Sequence, residues 1–260
     1  MGNGEKQLRH QHSLLRLNRG GLGRRFASWL VIVVATAAAS IVGASSAPVA
    51  GIADRPNAVI IGDSITAFHE PALAAAFRDR GIPGIIFDAQ QARQIEASVT
   101  YADESIRSGI SAIAQLKNNG VDPKLWVIEL GTNDVWNSLG EGRDEQVAYA
   151  YKLIGQLLDT VGPSAPVAWV TVSFRMYPLE SDAFNEALRR RAAIDPRMTL
   201  IDWHAHSVTH ADWFADPVHP NELGAKALGQ LYVDTVLELL ASPPELPCVC
   251  PQHAERLGMS

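Results

Sequence analysis

Five short apolar runs alternate with helix-like segments between residues 58 and 240, and this alternation restricts the fold more than any other feature of the sequence. The strand-like runs are residues 58–61, 84–87, 125–130, 167–172 and 199–202. Continuous apolar runs of this length are typical of parallel strands that are buried on both faces. The helix-like segments are residues 71–80, 101–119, 145–161, 184–193 and 223–240. The pattern predicts one α/β domain with a parallel sheet over residues 57–242.

A basic segment and an apolar segment precede this domain. Residues 1–26 contain six lysines and arginines against one acidic residue, and the next 17 residues carry no charge. Small residues follow as far as residue 50. This order is typical of a signal peptide or a signal anchor over residues 27–50, with the basic side in the cytoplasm. The sequence leaves open whether this segment is cleaved or retained. In both cases we expect the domain to be exported, and it is then either secreted or anchored to the cytoplasmic membrane by residues 27–44.

The charge balance argues against nucleic-acid binding, and the cysteine content argues against a fold held by disulfides. The chain has a net charge of -6 although its N-terminal segment is basic, so the remaining body is acidic. Binding to a nucleic-acid backbone needs a basic surface, and the acidic body argues against this class. Both cysteines, Cys248 and Cys250, lie in the proline-containing tail 243–260, for which we expect irregular structure. The fold is therefore not expected to depend on disulfides.

Polar residues follow four of the five predicted strands. Ser64 follows the first strand, and Arg93 lies a few residues beyond the second. Asn133 follows the third strand, and residues 216–219 lie in the loop after the fifth. In open α/β sheets, ligands bind beyond the carboxyl ends of the strands, which meet at one edge. We therefore expect these groups to converge on one site.

Ser64, His219 and Asp216 are a serine, a histidine and an aspartate, the combination that forms a catalytic triad in many serine enzymes. A serine hydroxyl is a weak nucleophile until a base removes its proton, and His219 is the candidate base. Asp216 precedes His219 by three residues, a spacing that lets the carboxylate orient the imidazole. The predicted oxyanion donors are the Asn133 amide and the backbone N–H groups of Ser64 and Ala92. Each motif alone also fits a turn or a helix cap, so the combination carries the prediction.

Three short blocks resemble the SGNH/GDSL hydrolase superfamily. They are Gly-Asp-Ser-Ile at residues 62–65, Gly-Thr-Asn-Asp at 131–134 and Asp-Pro-Val-His-Pro at 216–220. The resemblance implies a three-layer α/β/α sandwich with a flavodoxin-like, five-stranded parallel sheet. It also implies hydrolysis or transfer of carboxylic esters without a metal or an organic cofactor. The family's second block usually supplies a glycine as an oxyanion donor, and Ala92 stands nearest to that position here.

Two further segments give a narrower resemblance. Residues 88–94 and 200–203, together with the block at 216–220, resemble the SGNH domains of membrane acyltransferases that O-acetylate bacterial envelope glycans. In those proteins the SGNH domain is fused to a multi-span membrane domain. Here the SGNH-like part follows a single apolar segment.

Several other residues are candidates for contact with a substrate. Arg93 is expected either to bind a polar substrate group or to form an exposed salt bridge. Trp203 and Trp213 are expected to pack near the site or to provide a ring platform for a sugar. Asp63 is expected to orient the Ser64 turn rather than to react. The histidines within residues 204–210 match no strong zinc motif, so no metal is expected.

These features predict a serine esterase that hydrolyses short acyl or acetyl esters in the cell envelope. An O-acyltransferase of envelope glycans needs the same triad and stays open as an alternative. A non-catalytic envelope binding module is the alternative from another class, and the retention of every triad residue argues against it. The expected partner is a small-molecule or glycan ester and not a nucleic acid, while the sequence does not indicate an oligomeric state.

Overall fold

The computed structural model describes residues 55–244, which form a five-stranded sheet, a two-stranded hairpin and flanking helices. The strands are β1 (Ala58–Gly62), β2 (Ile85–Ala89), β3 (Val99–Tyr101), β4 (Glu104–Ile106), β5 (Trp126–Glu129), β6 (Val167–Val170) and β7 (Met198–Ile201). The α-helices are α1 (Ser64–Asp79), α2 (Gly109–Asn118), α3 (Thr132–Val135), α4 (Arg143–Val161), α5 (Pro178–Ala192), α6 (Trp203–Ser207) and α7 (Glu222–Ala241). The short 3-10 helices are Trp136–Ser138 and Ala211–Trp213.

The large sheet is parallel throughout and has the strand order β2-β1-β5-β6-β7. This is the order of flavodoxin-like sheets, in which ligands bind at the carboxyl edge where the winding direction changes. In this sheet the winding direction changes at β1, so the expected ligand site lies at the carboxyl end of that strand. Gly62, the last residue of β1, is opposite Ala89 of β2 and Glu129 of β5.

Alternate residues of each strand pack against different helical layers. Val59 and Ile61 belong to a buried cluster with residues of α2, α4 and α5. Ala58 and Ile60 belong to a second cluster with residues of α1 and α7. Both faces of the sheet are therefore covered, which explains the nearly continuous apolar runs. The predicted α/β/α sandwich with a five-stranded parallel sheet is confirmed.

The region 101–119 differs from its prediction as a single helix. Its first part belongs to the β3–β4 hairpin, and α2 begins only at Gly109. Ala102 and Asp103 have φ angles of 50° and 66°, the left-handed conformation that a tight hairpin turn requires at both central positions. Apolar spacing does not reveal such a turn when the turn contains neither glycine nor asparagine.

Two helices begin more than five residues earlier than their predicted ranges. Helix α1 begins at Ser64 because the Asp63 side chain accepts a hydrogen bond from the backbone of Ile65 and caps the helix. Helix α5 begins at Pro178, since a proline in the first turn removes an N–H that would have no helical partner.

The predicted basic segment 1–26, the signal or anchor segment 27–50 and the tail from residue 245 onward lie outside the described residues. Among residues 55–244, no helix is both long enough and apolar enough to cross a membrane.

Candidate active site

Ser64, His219 and Asp216 form a continuous hydrogen-bonded chain at the carboxyl edge of the sheet. Ser64 Oγ lies 2.9 Å from His219 Nε2, and His219 Nδ1 lies 2.7 Å from Asp216 Oδ2. An ionised Asp216 accepts only, so the proton of this pair resides on Nδ1. The Nε2 lone pair then faces the Ser64 hydroxyl, which is the arrangement that a general base requires.

The loop that carries the acid and the base is folded on Asp216 itself. Asp216 Oδ1 accepts the backbone N–H groups of Val218 and His219, each at 2.7 Å. Partial burial acts to raise the Asp216 pKa, but the hydrogen bonds from His219 and Val218 outweigh it and hold the pKa below its ordinary value. Asp216 therefore stays ionised at neutral pH, as a residue that supports an imidazolium must.

Asp63 holds the turn that presents Ser64. Its Oδ1 accepts the Ile65 N–H at 2.9 Å, and its Oδ2 accepts the Asn133 side-chain amide at 3.0 Å. Gly62 precedes this turn, and a Cβ there would collide with the Thr66 side chain. The expected orienting function of Asp63 agrees with these contacts.

The hydrogen bonds of the first turn of α1 leave one N–H available. The Ile65 N–H binds Asp63, the Thr66 N–H binds Glu129 Oε2 at 3.3 Å, and the Ala67 N–H binds the Asp63 carbonyl at 2.9 Å. The Ser64 N–H has no acceptor among the described residues. A free N–H at a helix N-terminus favours developing negative charge. The backbone of Ser64 is therefore suited to bind an oxyanion.

Glu129 is a part of this site that the sequence analysis missed. It ends β5 beside Gly62, is buried, and accepts both the Thr66 hydroxyl at 3.1 Å and the Asp63 N–H at 3.4 Å on Oε2. Burial raises the Glu129 pKa well above its ordinary value, and the neighbouring Asp63 raises it further. Burial also raises the Asp63 pKa to about 6. The available signal was a lone charged residue in an otherwise apolar strand.

The loop after β2 places Ala92 in a conformation that usually belongs to glycine. Ala92 has φ 59°, and its N–H has no acceptor among the described residues. The loop is tied to α3, because Asn133 Nδ2 donates to the Arg93 carbonyl at 3.2 Å and Ile95 N–H donates to the Asp134 carboxylate at 3.1 Å. Ala92 therefore adopts, at an energetic cost, a backbone conformation that glycine adopts freely.

Asn133 joins the two loops that border Ser64. An amide group has two N–H donors, and those of Asn133 have acceptors at Asp63 Oδ2 and the Arg93 carbonyl. Its predicted contact with an oxyanion requires one of these hydrogens to be shared with the substrate. That contact stays a prediction.

The structure corrects both expectations for Arg93. The residue has 0% exposure, and all five guanidinium N–H donors have acceptors, so neither a substrate contact nor an exposed salt bridge is present. The acceptors are the carbonyl oxygens of Arg107, Gly62 and Asp88, the Asp88 carboxylate and the Gln90 side chain. Arg93 therefore links the carboxyl ends of β1 and β2 through its hydrogen bonds to Gly62 and Asp88.

The predicted contact of Trp203 with substrate is not supported, because the side chain is buried. It is 2% exposed, and its ring stacks on that of Trp213 with centroids 6.1 Å apart. Trp203 thus packs in the core at the start of α6, one of the two functions expected for it. His210 in turn stacks on Trp213 at 3.7 Å. Within residues 55–244, no group of three potential ligands is arranged to hold a metal ion.

A known protein family matches the part of the chain that forms this site. The model of the GDSL-like lipase/acylhydrolase family matches residues 60–227, a span that contains Ser64, Asn133, Asp216 and His219. Peptidoglycan O-acetyltransferase OatA of Listeria monocytogenes is 28% identical over 175 residues, which are 65% of this chain and 22% of that protein. The chain spans less than a quarter of the length of the curated relatives that it matches.

Solved structures share the fold at low sequence identity. The C-terminal catalytic domain of Streptococcus pneumoniae OatA, with a methylsulfonyl adduct, gives a TM-score of 0.54 at 20% identity, covering 72% of this chain and 94% of that chain. A carbohydrate esterase of family 3 from Talaromyces cellulolyticus gives 0.52 at 17% identity, covering 71% and 98%. The resemblance inferred from the sequence blocks is confirmed, and the chain belongs to the GDSL-like lipase/acylhydrolase family.

Proposed function

We propose that this chain is a serine esterase of the cell envelope that hydrolyses esters of short acyl groups, such as acetyl, through an acyl-enzyme on Ser64. The observation that carries the proposal is the hydrogen-bonded chain from Ser64 through His219 to Asp216. Family membership supports chemistry on acyl esters. The predicted export segment at residues 27–50 and the relatives named as peptidoglycan O-acetyltransferases support the envelope as its location.

The first half-reaction forms the acyl-enzyme. His219 Nε2 takes the hydroxyl proton of Ser64 while Oγ bonds to the ester carbonyl carbon, and the carbonyl electron pair moves onto oxygen. The free N–H groups of Ser64 and Ala92, together with the Asn133 amide, stabilise this oxyanion. When the intermediate collapses, the alcohol oxygen leaves with the proton from His219. Asp216 supports the imidazolium throughout.

The second half-reaction releases the acyl group. His219 takes a proton from water, the water oxygen bonds to the acyl carbon, and Ser64 Oγ leaves with that proton. The products are a carboxylic acid and the restored serine. No metal or organic cofactor takes part in the proposed reaction.

Transfer to a sugar hydroxyl is a second candidate function, because the relatives include peptidoglycan O-acetyltransferases. The triad is the same, and the acceptor alone differs. Incubation with p-nitrophenyl acetate, with and without a soluble glycan, separates the two. Acetate as the main product in both cases supports the esterase, whereas an O-acetylated glycan supports the transferase.

The direct test of the proposed function is turnover of p-nitrophenyl acetate by the full chain and by Ser64→Ala. We expect turnover by the wild type and none above background by the folded variant. Equal turnover by the variant would exclude Ser64 as the nucleophile. Absence of turnover by the wild type, together with failure of a fluorophosphonate to label it, would favour a non-catalytic binding module.

A further inference from the structure

A cavity of about 380 Å³ opens beside the nucleophile turn, between α1, the β3–β4 hairpin and the loop before Ala92. Ala67 forms its α1 wall and lies three residues after Ser64, so both residues lie on the same face of the helix. Gln91, directly before Ala92, forms the wall on the loop side. The volume falls within the range of about 300–1,000 Å³ that is usual for small-ligand sites.

A larger cleft, of about 750 Å³, lies between α1 and α7. Its walls include Ala72, Ala75 and Gly229, and no triad residue lines either cavity. The smaller cavity is the one that borders the loop of the predicted oxyanion donor Ala92, because Gln91 lines it.

The hairpin directs two polar side chains into the smaller cavity. Tyr101 and Glu104 are paired across β3 and β4, so their side chains project from the same face, and both line the cavity. Thr100 and Ser105 form the next pair and project from the opposite face. The tight turn at Ala102 thus fixes which face of the hairpin borders the cavity.

The walls combine an aromatic ring with uncommitted hydrogen-bonding groups. Tyr101 is 50% exposed at the lip. The exposed side chains of Gln91 and Glu104 have no hydrogen-bond partner among the described residues, whereas the Gln90 side chain accepts hydrogen bonds from Arg93 and Arg107. The nearby guanidinium groups of Arg93 and Arg107 are both paired with the Asp88 carboxylate. The cavity thus offers amides, a phenol and a carboxylate but no free cation, which favours a neutral, hydroxyl-rich ligand over an anion.

We propose that this cavity is the subsite for a neutral sugar ring that carries the esterified hydroxyl, an inference that rests on the proposed function. The alcohol part of the ester is bonded to the carbonyl that Ser64 attacks, so it must occupy space next to the nucleophile turn. In hydrolysis the sugar oxygen leaves with the proton from His219. In transfer the sugar hydroxyl gives its proton to His219 and attacks the acyl carbon. One subsite serves both directions, since each is the reverse of the other at this oxygen.

The test compares two esters in the full chain and in hairpin variants. The substrates are an O-acetylated trimer of N-acetylglucosamine and p-nitrophenyl acetate, which has no sugar. For Tyr101→Ala and Glu104→Ala, we expect the ratio of kcat/KM for the sugar ester to kcat/KM for p-nitrophenyl acetate to fall roughly tenfold, mainly through KM. A tenfold loss corresponds to about 1.4 kcal/mol. The matched control, Thr100→Ala, alters the other face of the same hairpin and should leave the ratio unchanged.

Direct binding separates the failure of the subsite from the failure of the proposed function. The unmodified N-acetylglucosamine trimer is titrated into the wild type, Tyr101→Ala and Thr100→Ala, and binding is followed calorimetrically. We expect roughly tenfold weaker binding for Tyr101→Ala alone, about 1.4 kcal/mol. If both the kcat/KM ratio and the affinity for the trimer are unchanged in Tyr101→Ala, the proposed subsite is wrong. Turnover of p-nitrophenyl acetate in the same experiment would still support the proposed function. Selective weakening of binding in a chain without ester turnover would support the subsite and reject the proposed function.

Discussion

Thr66 donates both its backbone N–H and its hydroxyl to one oxygen of Glu129, at 3.3 and 3.1 Å. These bonds link the first turn of α1 to the end of β5, the strand that also leads to Asn133. Asp63 and Glu129 accept the neighbouring N–H groups, whereas the Ser64 N–H has no acceptor among the described residues. The nucleophile turn is thus positioned by Glu129, a residue that makes no hydrogen bond to Ser64.

Removing the Glu129 carboxyl should therefore impair catalysis. In Glu129→Ala, the donors of Thr66 and Asp63 lose their acceptor, and each buried donor left unpaired costs about 1–3 kcal/mol. We expect a lower kcat for p-nitrophenyl acetate with a small change in KM. Glu129→Gln keeps an acceptor oxygen at this position and should recover most of the kcat.

A control for simple destabilisation comes from Val236→Ala, a core change in α7. Steady-state kinetics and urea unfolding are measured on all three variants. A loss of kcat in Val236→Ala as large as that in Glu129→Ala would show that stability, and not the position of the turn, is responsible.

Ala92 should be a site where glycine increases stability. A left-handed backbone costs an L-residue other than glycine about 1–2 kcal/mol, while glycine has greater freedom in the unfolded chain. The difference predicts a gain of about 0.5 kcal/mol in the free energy of unfolding for Ala92→Gly. Ala97 serves as the control, because it lies in the same loop and does not have a positive φ. Urea unfolding should show a loss for Ala97→Gly, and a loss of equal size for Ala92→Gly would contradict the strain.

Asn133→Ala tests the predicted oxyanion donor. Loss of one such donor lowers kcat on the order of 100- to 1000-fold. The variant also removes the link between Asp63 and the Arg93 carbonyl, so circular dichroism and a thermal melt must accompany the kinetics. A folded variant that retains more than about a fifth of wild-type kcat would show that the backbone donors suffice.

The pH dependence of stability should carry a contribution from Asp134. Burial raises its pKa to about 7 in the folded chain, whereas an unfolded aspartate titrates near 3.9. The folded state therefore retains a proton that the unfolded state releases. This stabilisation is complete below about pH 4 and is lost as the pH rises through about 7.

Asp134→Asn cannot ionise and still offers an acceptor to Ile95. We expect it to reduce the fall in the free energy of unfolding between about pH 5 and pH 8. The measurement is urea unfolding at several pH values. Asp159→Asn, an exposed change on α4, should retain the wild-type slope. An unchanged slope in Asp134→Asn would contradict the effect of burial.

Sequence patterns predict the site best where function depends on the ends of strands. Strand order and loop position bring Ser64 and His219 together, and both follow from apolar runs and short motifs. The conformation of Ala92 was not visible, because alanine gives no sign of a positive φ. The burial of Arg93 depends on oxygens from Gly62, Asp88 and Arg107, which only the folded chain assembles. The hairpin at 99–106 was missed because its turn lacks the usual glycine or asparagine.

The most direct test of the central claim is covalent trapping of Ser64. The full chain is treated with a fluorophosphonate, its intact mass is measured, and the modified peptide is sequenced by mass spectrometry. We predict one adduct on Ser64, no adduct on that peptide in Ser64→Ala, and labelling slowed on the order of 1000-fold in His219→Ala. An adduct on a different residue, or a folded wild-type chain that stays unlabelled, would contradict the assignment of Ser64 as the activated nucleophile.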